Sequence, residues 1–385
     1  MSLLPIVAAL PWLLYPVATI WRVLGSPNLE DEPNEIPLDP PLVSVIVPAR
    51  NESRNIGRCV RSILASAYPS LELVVVDDRS EDDTAAVALA AAAADPRCRV
   101  VSAPPLEAGW FGKQWACTRG VREARGGLLV FTDADTVHAP DLLTRCVGVM
   151  RARRLDFLTV AGQQELGSFW ERVVQPHIFG MLVARFGGPA SVNRSTRVVD
   201  KMANGQFMMI ARPAFDAVGG FGALRAKVAE DLALAQMLFA RGFRTELVLG
   251  PQQITTRMYA SLGEIVRGWM KNMYAASLDV MPWGWAGRAL VAPLLLLLPV
   301  ATLAPAVALA LALVAPASSG VLLWAAICIG AMLAWWGFVY HEVVHASVLW
   351  ALTFPLGAAI ALYIALRAVV RGRRVEWKGR EYRAG

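Results

Sequence analysis

Residues 289–340 carry no Asp, Glu, Lys or Arg. About 20 apolar residues cross a bilayer once. A fold of this size cannot cover so long an uncharged run in water, so the chain is integral to a membrane. Composition agrees: 56% of residues are hydrophobic and 18% charged, against roughly 45–50% and 25% in soluble domains. Residues 3–21 form a second apolar stretch long enough to span. Its prolines, Pro5, Pro11 and Pro16, are tolerated in membrane helices. It lacks a basic leading region and exceeds the usual length of a signal's apolar part, so it reads as an anchor. Arg22 directly after it favours a cytoplasmic end there. Cys59, Cys98, Cys117, Cys146 and Cys328 form no CxxC pair, which excludes a disulfide scaffold or zinc-finger framework.

The net charge of +6 is unevenly distributed. Residues 25–42 hold Glu30, Asp31, Glu32, Glu35 and Asp39 without a basic residue, and are rich in proline; they read as an extended, exposed linker. The tail holds Arg367, Arg371, Arg373, Arg374, Lys378, Arg380 and Arg383, which suits anionic lipid headgroups. No aromatic–basic interleaving accompanies it, so nucleic acid is not an expected partner. Spans are expected near 289–314, 320–340 and 347–369. Three full crossings place the basic tail opposite the hydrophilic domain; a break at Pro355-Leu356-Gly357 returns it to the same side.

Between these apolar ends the pattern becomes strand–helix alternation. VSVIVP (43–48), LELVVVDD (71–78), CRVVS, LLVFTDAD and GQFMMIA (205–211) read as strands. Residues 54–66, 85–94 and 230–241 read as helices. Such alternation implies an α/β domain: a mostly parallel sheet with helices on both faces. Residues 166–186 and 261–278 mix apolar residues with Glu171, Arg172, Arg185, Arg267 and Lys271, and read as interfacial amphipathic helices. The expected organisation is an anchor (1–24), a linker (25–42), a catalytic domain (43–286), membrane segments (287–370) and a basic tail (371–385).

In such sheets ligands bind beyond the carboxyl ends of strands, and both acidic clusters of this chain lie there. Asp133-Ala134-Asp135 follows a buried strand, and two carboxylates so placed suit a hard divalent cation with phosphate oxygens. Asp77 and Asp78 end an earlier strand and suit hydrogen bonds from a base or ribose; the acids after them equally suit a helix N-terminus. Pro48, Arg50, Asn51 and Glu52 follow the first strand and line either a nucleotide pocket or an ordinary βα turn. Gly109-Trp110-Phe111-Gly112-Lys113 is a Gly-containing loop whose Lys113 suits a diphosphate. Glu230-Asp231 opens a helix, either as its cap or as a general base. Arg267 and Trp269 suit a clamp on a substrate or an interface anchor. His341-Glu342-Val343-Val344-His345 matches the HExxH zinc pattern but lies between two apolar segments, and beyond it only Glu376 and Glu381 could add a carboxylate.

Taken in order, VSVIVPARNE, VVVDDRSEDDT, FTDAD, NGQFMMIARPAFDAVGGF and AEDLALAQMLFARGFR resemble the family 2 glycosyltransferases over roughly residues 43–280. GWFGKQWAC, RMYASLGEIVRGWMKN and VEWKGREY resemble its membrane-bound branch containing the bacterial carotenoid-acid glycosyltransferases. The resemblance implies the GT-A nucleotide-diphospho-sugar fold, with Asp77 and Asp78 at the base. It implies that Asp133 and Asp135 hold Mg2+ or Mn2+ and the diphosphate, and that Asp231, beside Glu230, is the base. The family's Q/R-x-x-R-W motif is not intact; Arg267-Gly268-Trp269 is the nearest segment, with Glu264 before it. The implied activity is inverting transfer of a sugar, by default from UDP-glucose, to a carotenoid acid or other isoprenoid lipid. The implied place is the cytoplasmic face of the cell (inner) membrane. A processive polysaccharide synthase and a non-catalytic membrane scaffold are the alternatives.

Overall fold

The computed structural model describes residues 3–225, 227–281, 284–372, 374–377 and 380–383, with backbone alone at 271–272, 279–280 and from 374 onward. Arg373 and Lys378 of the basic tail lie outside the described residues. The strands are β1 (Val43–Ala49), β2 (Leu71–Asp77), β3 (Cys98–Ser102), β4 (Leu128–Thr132), β5 (Thr136–His138), β6 (Phe157–Ala161), β7 (Gln163–Gln164), β8 (Phe207–Ala211), β9 (Thr245–Leu249), β10 (Ile254–Thr256), β11 (Arg374–Trp377) and β12 (Arg380–Arg383). The α-helices are α1 (Leu4–Val23), α2 (Ile56–Leu64), α3 (Thr84–Ala92), α4 (Gly112–Glu123), α5 (Leu142–Arg153), α6 (Phe169–Phe186), α7 (Pro189–Arg194), α8 (Arg212–Ala217), α9 (Glu230–Ala240), α10 (Leu262–Val280), α11 (Gly284–Ala312), α12 (Ser319–Phe338) and α13 (Phe354–Arg371). They divide into two units: Met1–Leu24, Leu166–Gly188 and Tyr259–Gly372 form one; Gly25–Glu165, Pro189–Met258 and Arg373–Gly385 form the other.

The second unit is built on a seven-stranded sheet ordered β3-β2-β1-β4-β8-β6-β9. β1 pairs in parallel with β2, from Val43↔Leu71 to Ala49↔Asp77, and with β4. β8 runs antiparallel between β4 and β6. Alternation along each strand separates two cores. Val43, Val45, Val47, Leu73 and Val75 pack with Ile56, Val60 and Ile63 of α2 and with α5. Ile46, Val74, Val76 and Phe131 pack on the other face with Trp115 of α4 and with Leu234 and Leu238 of α9. The β-branched runs are fully buried because helices cover both faces. The parallel strands β3, β2, β1 and β4 therefore deliver their carboxyl ends to one edge. The antiparallel β8, paired Thr132↔Phe207, brings the loop before it to that same edge.

The acidic linker is not wholly exposed. Asn28 bridges to Leu249, extending the sheet beyond β9, and Leu29 is fully buried. Arg145 donates to the Leu29 and Glu30 carbonyls at 3.1 and 3.0 Å, and Arg153 pairs with Glu32 and Glu246. Basic side chains of α5 thus hold the acidic segment, a long-range pairing invisible in linker composition.

The other unit contains α1, α6 and α10–α13. Among the described residues, four helical stretches are long and apolar enough to cross a membrane: Leu4–Val23, Gly284–Ala312, Ser319–Val343 and Val348–Arg371. α1 meets α12 through edge-on Trp12–Trp324 and Tyr15–Trp335 pairs, with centroids 5.4 and 6.0 Å apart. α6 opens with a capping box in which Ser168 and Glu171 satisfy each other's backbone N–H groups. Pro176 deprives the Arg172 carbonyl of its helical donor. Tyr340 supplies a replacement: its hydroxyl donates to that carbonyl at 2.8 Å. The break expected at Pro355-Leu356-Gly357 does not occur there. Pro355 lies in the first turn of α13, where a missing N–H is harmless. Gly357 instead permits close approach to α6, since a Cβ there would stand 2.4 Å from both the Val173 carbonyl and the His177 ring. The interruption falls earlier, where His345 has φ +54°.

Candidate active site

At the shared edge, the Asp133–Asp135 turn leaves β4 and re-enters β5. Lys113 is not in a loop, as its glycine-flanked segment suggests, but in the first turn of α4. Its Nζ stands 2.8 Å from Asp133 Oδ1 and 2.9 Å from Glu230 Oε1. α9 carries Glu230 and Asp231 in its first turn. The Gly205 N–H donates to Asp231 Oδ2 at 3.0 Å, and the Leu232 N–H donates to Oδ1 at 2.8 Å. A Cβ on Gly205 would lie 2.9 Å from Asp231 Oδ2 and 3.2 Å from Lys113 Nζ. Four distant stretches of sequence thus meet around one ammonium group.

Burial sets the electrostatics. Taken alone it would lower the Lys113 ammonium, but Asp133, Glu230 and Asp231 overturn that and hold it well above its ordinary value. Burial raises Asp133, opposed by Lys113. Burial, then the charges of Asp133 and Glu52, push Asp135 up to about 8. Burial and then Glu230 raise Asp231 to about 6, against Lys113 and the two backbone donors. Asp135 Oδ1 is buried and has no hydrogen-bond partner. An orphaned carboxylate oxygen among like charges fits a divalent cation. No trio of His, Cys, Asp or Glu that could hold a metal exists among the described residues. Two protein carboxylates are a number that Mg2+ sites commonly use, phosphate and water completing such shells.

The other expected site residues fall into three places. Pro48 lies in β1 opposite Val76, and Glu52 borders the acidic cluster. Arg50 Nη1 donates to the Asp78 and Arg79 carbonyls at 2.8 and 2.7 Å, and Nη2 pairs with Glu81 at 3.0 Å. Asn51, at φ +52°, accepts from the Glu81 N–H. Arg50 and Asn51 therefore shape the loop after β2. Asp77 accepts from the Ser80 N–H at 3.3 Å, and Asp78 is buried. Arg267 and Trp269 lie on α10 in the other unit, where Trp269 packs edge-on against Phe179 and Tyr259, at 5.6 and 6.3 Å. Composition and spacing did not single out Gly205; its signal was the glycine in NGQ immediately before a buried strand.

The HExxH-like stretch forms no metal site. His341 and Glu342 lie in the π-helical turn Val339–Val343, both exposed and paired at 2.8 Å, and His345 lies beyond it. The two imidazoles therefore do not share the face of a continuous α-helix, which the zinc motif requires.

Residues 44–232 match the family model described as Glycosyl transferase family 2. The chain is 28% identical over 267 residues to a beta-monoglucosyldiacylglycerol synthase of Synechocystis sp., covering 67% of this chain and 53% of that protein. It is 29% identical over 259 residues to an N-acetylglucosaminyltransferase of Mesorhizobium japonicum, covering 61% and 56%. A shorter match, 36% over 93 residues and 24% of each chain, joins it to the 4,4'-diaponeurosporenoate glycosyltransferase of Staphylococcus aureus. The chain spans about half the length of the first two relatives. Its fold resembles that of the mannosyltransferase PcManGT of Pyrobaculum calidifontis, solved with GDP-Man and Mn2+, with TM-score 0.60, 19% identity, and 95% and 97% of the two chains covered. The sheet with acidic side chains at its strand ends is thus a GT-A fold, and residues 44–232 belong to the family 2 glycosyltransferases.

Proposed function

We propose that the protein transfers a sugar, by default glucose from UDP-glucose, to a hydrophobic lipid acceptor with inversion at the anomeric carbon. The observation that carries this reading is the gathering of Asp133, Glu230 and, through Gly205, Asp231 around Lys113 at one sheet edge. Asp231 takes the proton from the acceptor hydroxyl. The acceptor oxygen bonds to the anomeric carbon as the bond to the diphosphate oxygen breaks. An Asp231 pKa near 6 keeps the carboxylate ionised at neutral pH yet basic enough to accept a proton. An acceptor carboxylate is already ionised and needs no base. Lys113 supplies charge toward the departing diphosphate. Asp133 and Asp135 would hold Mg2+ or Mn2+, which when bound offsets negative charge on the leaving nucleoside diphosphate. Asp77 and Asp78, with the loop shaped by Arg50 and Asn51, take the nucleoside side of the donor; Pro48 and Glu52 border it. In this reading Arg267 and Trp269 keep the donor-binding role that the remnant of the family motif implies.

A lipid acceptor explains the apolar helices: the acceptor lies in the bilayer while the donor comes from water. Among the relatives, a diacylglycerol-lipid synthase and a carotenoid-acid enzyme support a lipid acceptor. In this reading the chain is a multi-pass protein of the inner membrane with its catalytic domain cytoplasmic. The functional partition is 1–24 anchor, 25–42 linker, 43–286 catalytic, 287–370 membrane and 371–385 basic tail.

The test is a calorimetric donor screen with Mn2+ on wild type and Asp135→Ala, followed by transfer assays on hydroxyl and carboxyl lipids. Donor binding that needs both Mn2+ and Asp135, with transfer to a lipid, is expected. Binding indifferent to Asp135, or chain extension of a polysaccharide, would overturn the reading.

A further inference from the structure

We infer that His138 is a positioning residue: one ring N–H, shared by Thr132 and Thr136, holds the Asp133–Asp135 turn and the Asn204–Gln206 loop together. His138 Nε2 lies 3.0 Å from Thr132 Oγ1 and 3.2 Å from Thr136 Oγ1. The two hydroxyls are already committed as donors. Thr132 Oγ1 donates to the Gln206 carbonyl at 2.7 Å, and Thr136 Oγ1 donates to the Asp133 carbonyl at 2.8 Å. Each hydroxyl has one hydrogen, so neither can donate to the other, 3.0 Å away, without giving up a carbonyl. The Cys59 thiol, 3.8 Å from Thr136 Oγ1, also lies 3.7 Å from the Asp133 carbonyl, to which it donates, so the donor shared by both threonines is His138 Nε2–H.

The consequence reaches two groups of site residues. Asp133 and Asp135 occupy the turn that Thr136 closes. Gln206 follows Gly205, whose N–H holds Asp231. Asp133 and Glu52 crowd negative charge around Asp135, and that crowding works to open the turn. His138 is itself held from behind: it is 5% exposed, its backbone N–H donates to Ser62 Oγ at 3.1 Å, and its ring meets Phe207 edge-on at 5.8 Å. Burial pushes its imidazole down to about 3, so the ring stays neutral and serves as a fixed donor. The inference rests on the proposed function only for what the held carboxylates do.

The test compares H138F, which keeps the volume without the N–H, with H138Q, whose terminal amide brings an N–H to a similar reach. The readouts are melting temperature, amide hydrogen exchange of the full-length protein in detergent, and Mn2+ titration with UDP present. H138F is expected to fold, to speed exchange at 133–136 and 204–206 by about tenfold while β1 and β2 stay unchanged, and to weaken Mn2+ binding about tenfold. H138Q is expected to restore most of both. A folded H138F with wild-type exchange and Mn2+ binding overturns the inference, as does equal damage in both variants, which would assign the effect to packing. Should H138F not fold, Thr136→Val and Thr132→Val take its place. Each is expected to loosen its own loop, and unchanged exchange in both overturns the inference. Faster exchange without any sugar transfer in wild type would sink the proposed function while leaving the positioning role standing.

Discussion

Lys113 and Asp133, separated by one helix and one strand in the chain, form an ion pair of 2.8 Å that also reaches Glu230 at 2.9 Å. The pair joins the Asp133–Asp135 turn to the first turn of α9, which carries Glu230 and Asp231. It neutralises part of a buried negative cluster that would otherwise repel itself.

Lys113→Met removes that charge and leaves the carboxylates unpaired. Breaking a buried pair from one side costs about 3–5 kcal/mol. With Lys113 21% and Asp133 32% exposed, Lys113→Met is expected to lower stability by less than that, about 1–2 kcal/mol, measured by denaturant unfolding of the full chain in detergent. Added Mn2+ is expected to recover part of the loss. Unchanged stability would show that the ammonium contributes little.

Asp231→Asn keeps the shape and removes the carboxylate proposed as the base. Transfer to an alcohol is expected to fall by about 10²–10⁴, while transfer to a lipid carboxylate falls much less. Paired assays on the two acceptor types decide the matter. Equal loss on both would remove Asp231 from the base role.

The raised carboxylates set two pH dependences. Transfer to alcohols is expected to decline below about pH 6, as Asp231 takes a proton. Stability runs the other way in metal-free protein. Asp135 and Asp231 bind protons more tightly folded than unfolded, so their contribution is complete below the ordinary value of 3.8 and is lost as pH rises through about 6 and about 8. Melting temperature with a chelator is expected to fall from pH 5 to about pH 8, and Mn2+ is expected to flatten that slope.

Gly205→Ala places a methyl 2.9 Å from Asp231 Oδ2 and 3.2 Å from Lys113 Nζ. Overpacking of this kind costs about 1–3 kcal/mol. The group displaced is the carboxylate proposed as the base, so turnover is expected to drop about tenfold or more while the melting temperature falls by a few degrees. Wild-type turnover would show that Asp231 shifts without consequence.

Tyr340→Phe removes the hydroxyl that satisfies the Arg172 carbonyl opposite Pro176. The orphaned acceptor is expected to cost about 1–2 kcal/mol, read as a lower melting temperature in detergent. Restoring the missing backbone donor with Pro176→Ala in the same chain is expected to recover most of it.

Period and composition carried much of this architecture. Runs such as VSVIVP and LELVVVDD are buried on both faces, which only a strand covered by helices tolerates, and they appear as β1 and β2. An uncharged run as long as 289–340 admits little besides membrane-type helices, and α11 and α12 lie there. FTDAD placed carboxylates just beyond a buried strand because turn polarity is a local property. Tertiary structure decided the rest. Lys113 meets Glu230, Gly205 meets Asp231, and Thr132 meets the Gln206 carbonyl, because strand order brings distant loops to one edge. β8, running against its neighbours, delivers Gly205 there, and no local period encodes that direction. Arg50, Asn51 and the acidic linker also read differently once folded, because their partners are backbone groups or charges far away in the chain. Local sequence sets what each segment can bury; which segments share an edge is settled only when non-local pairing has closed the sheet.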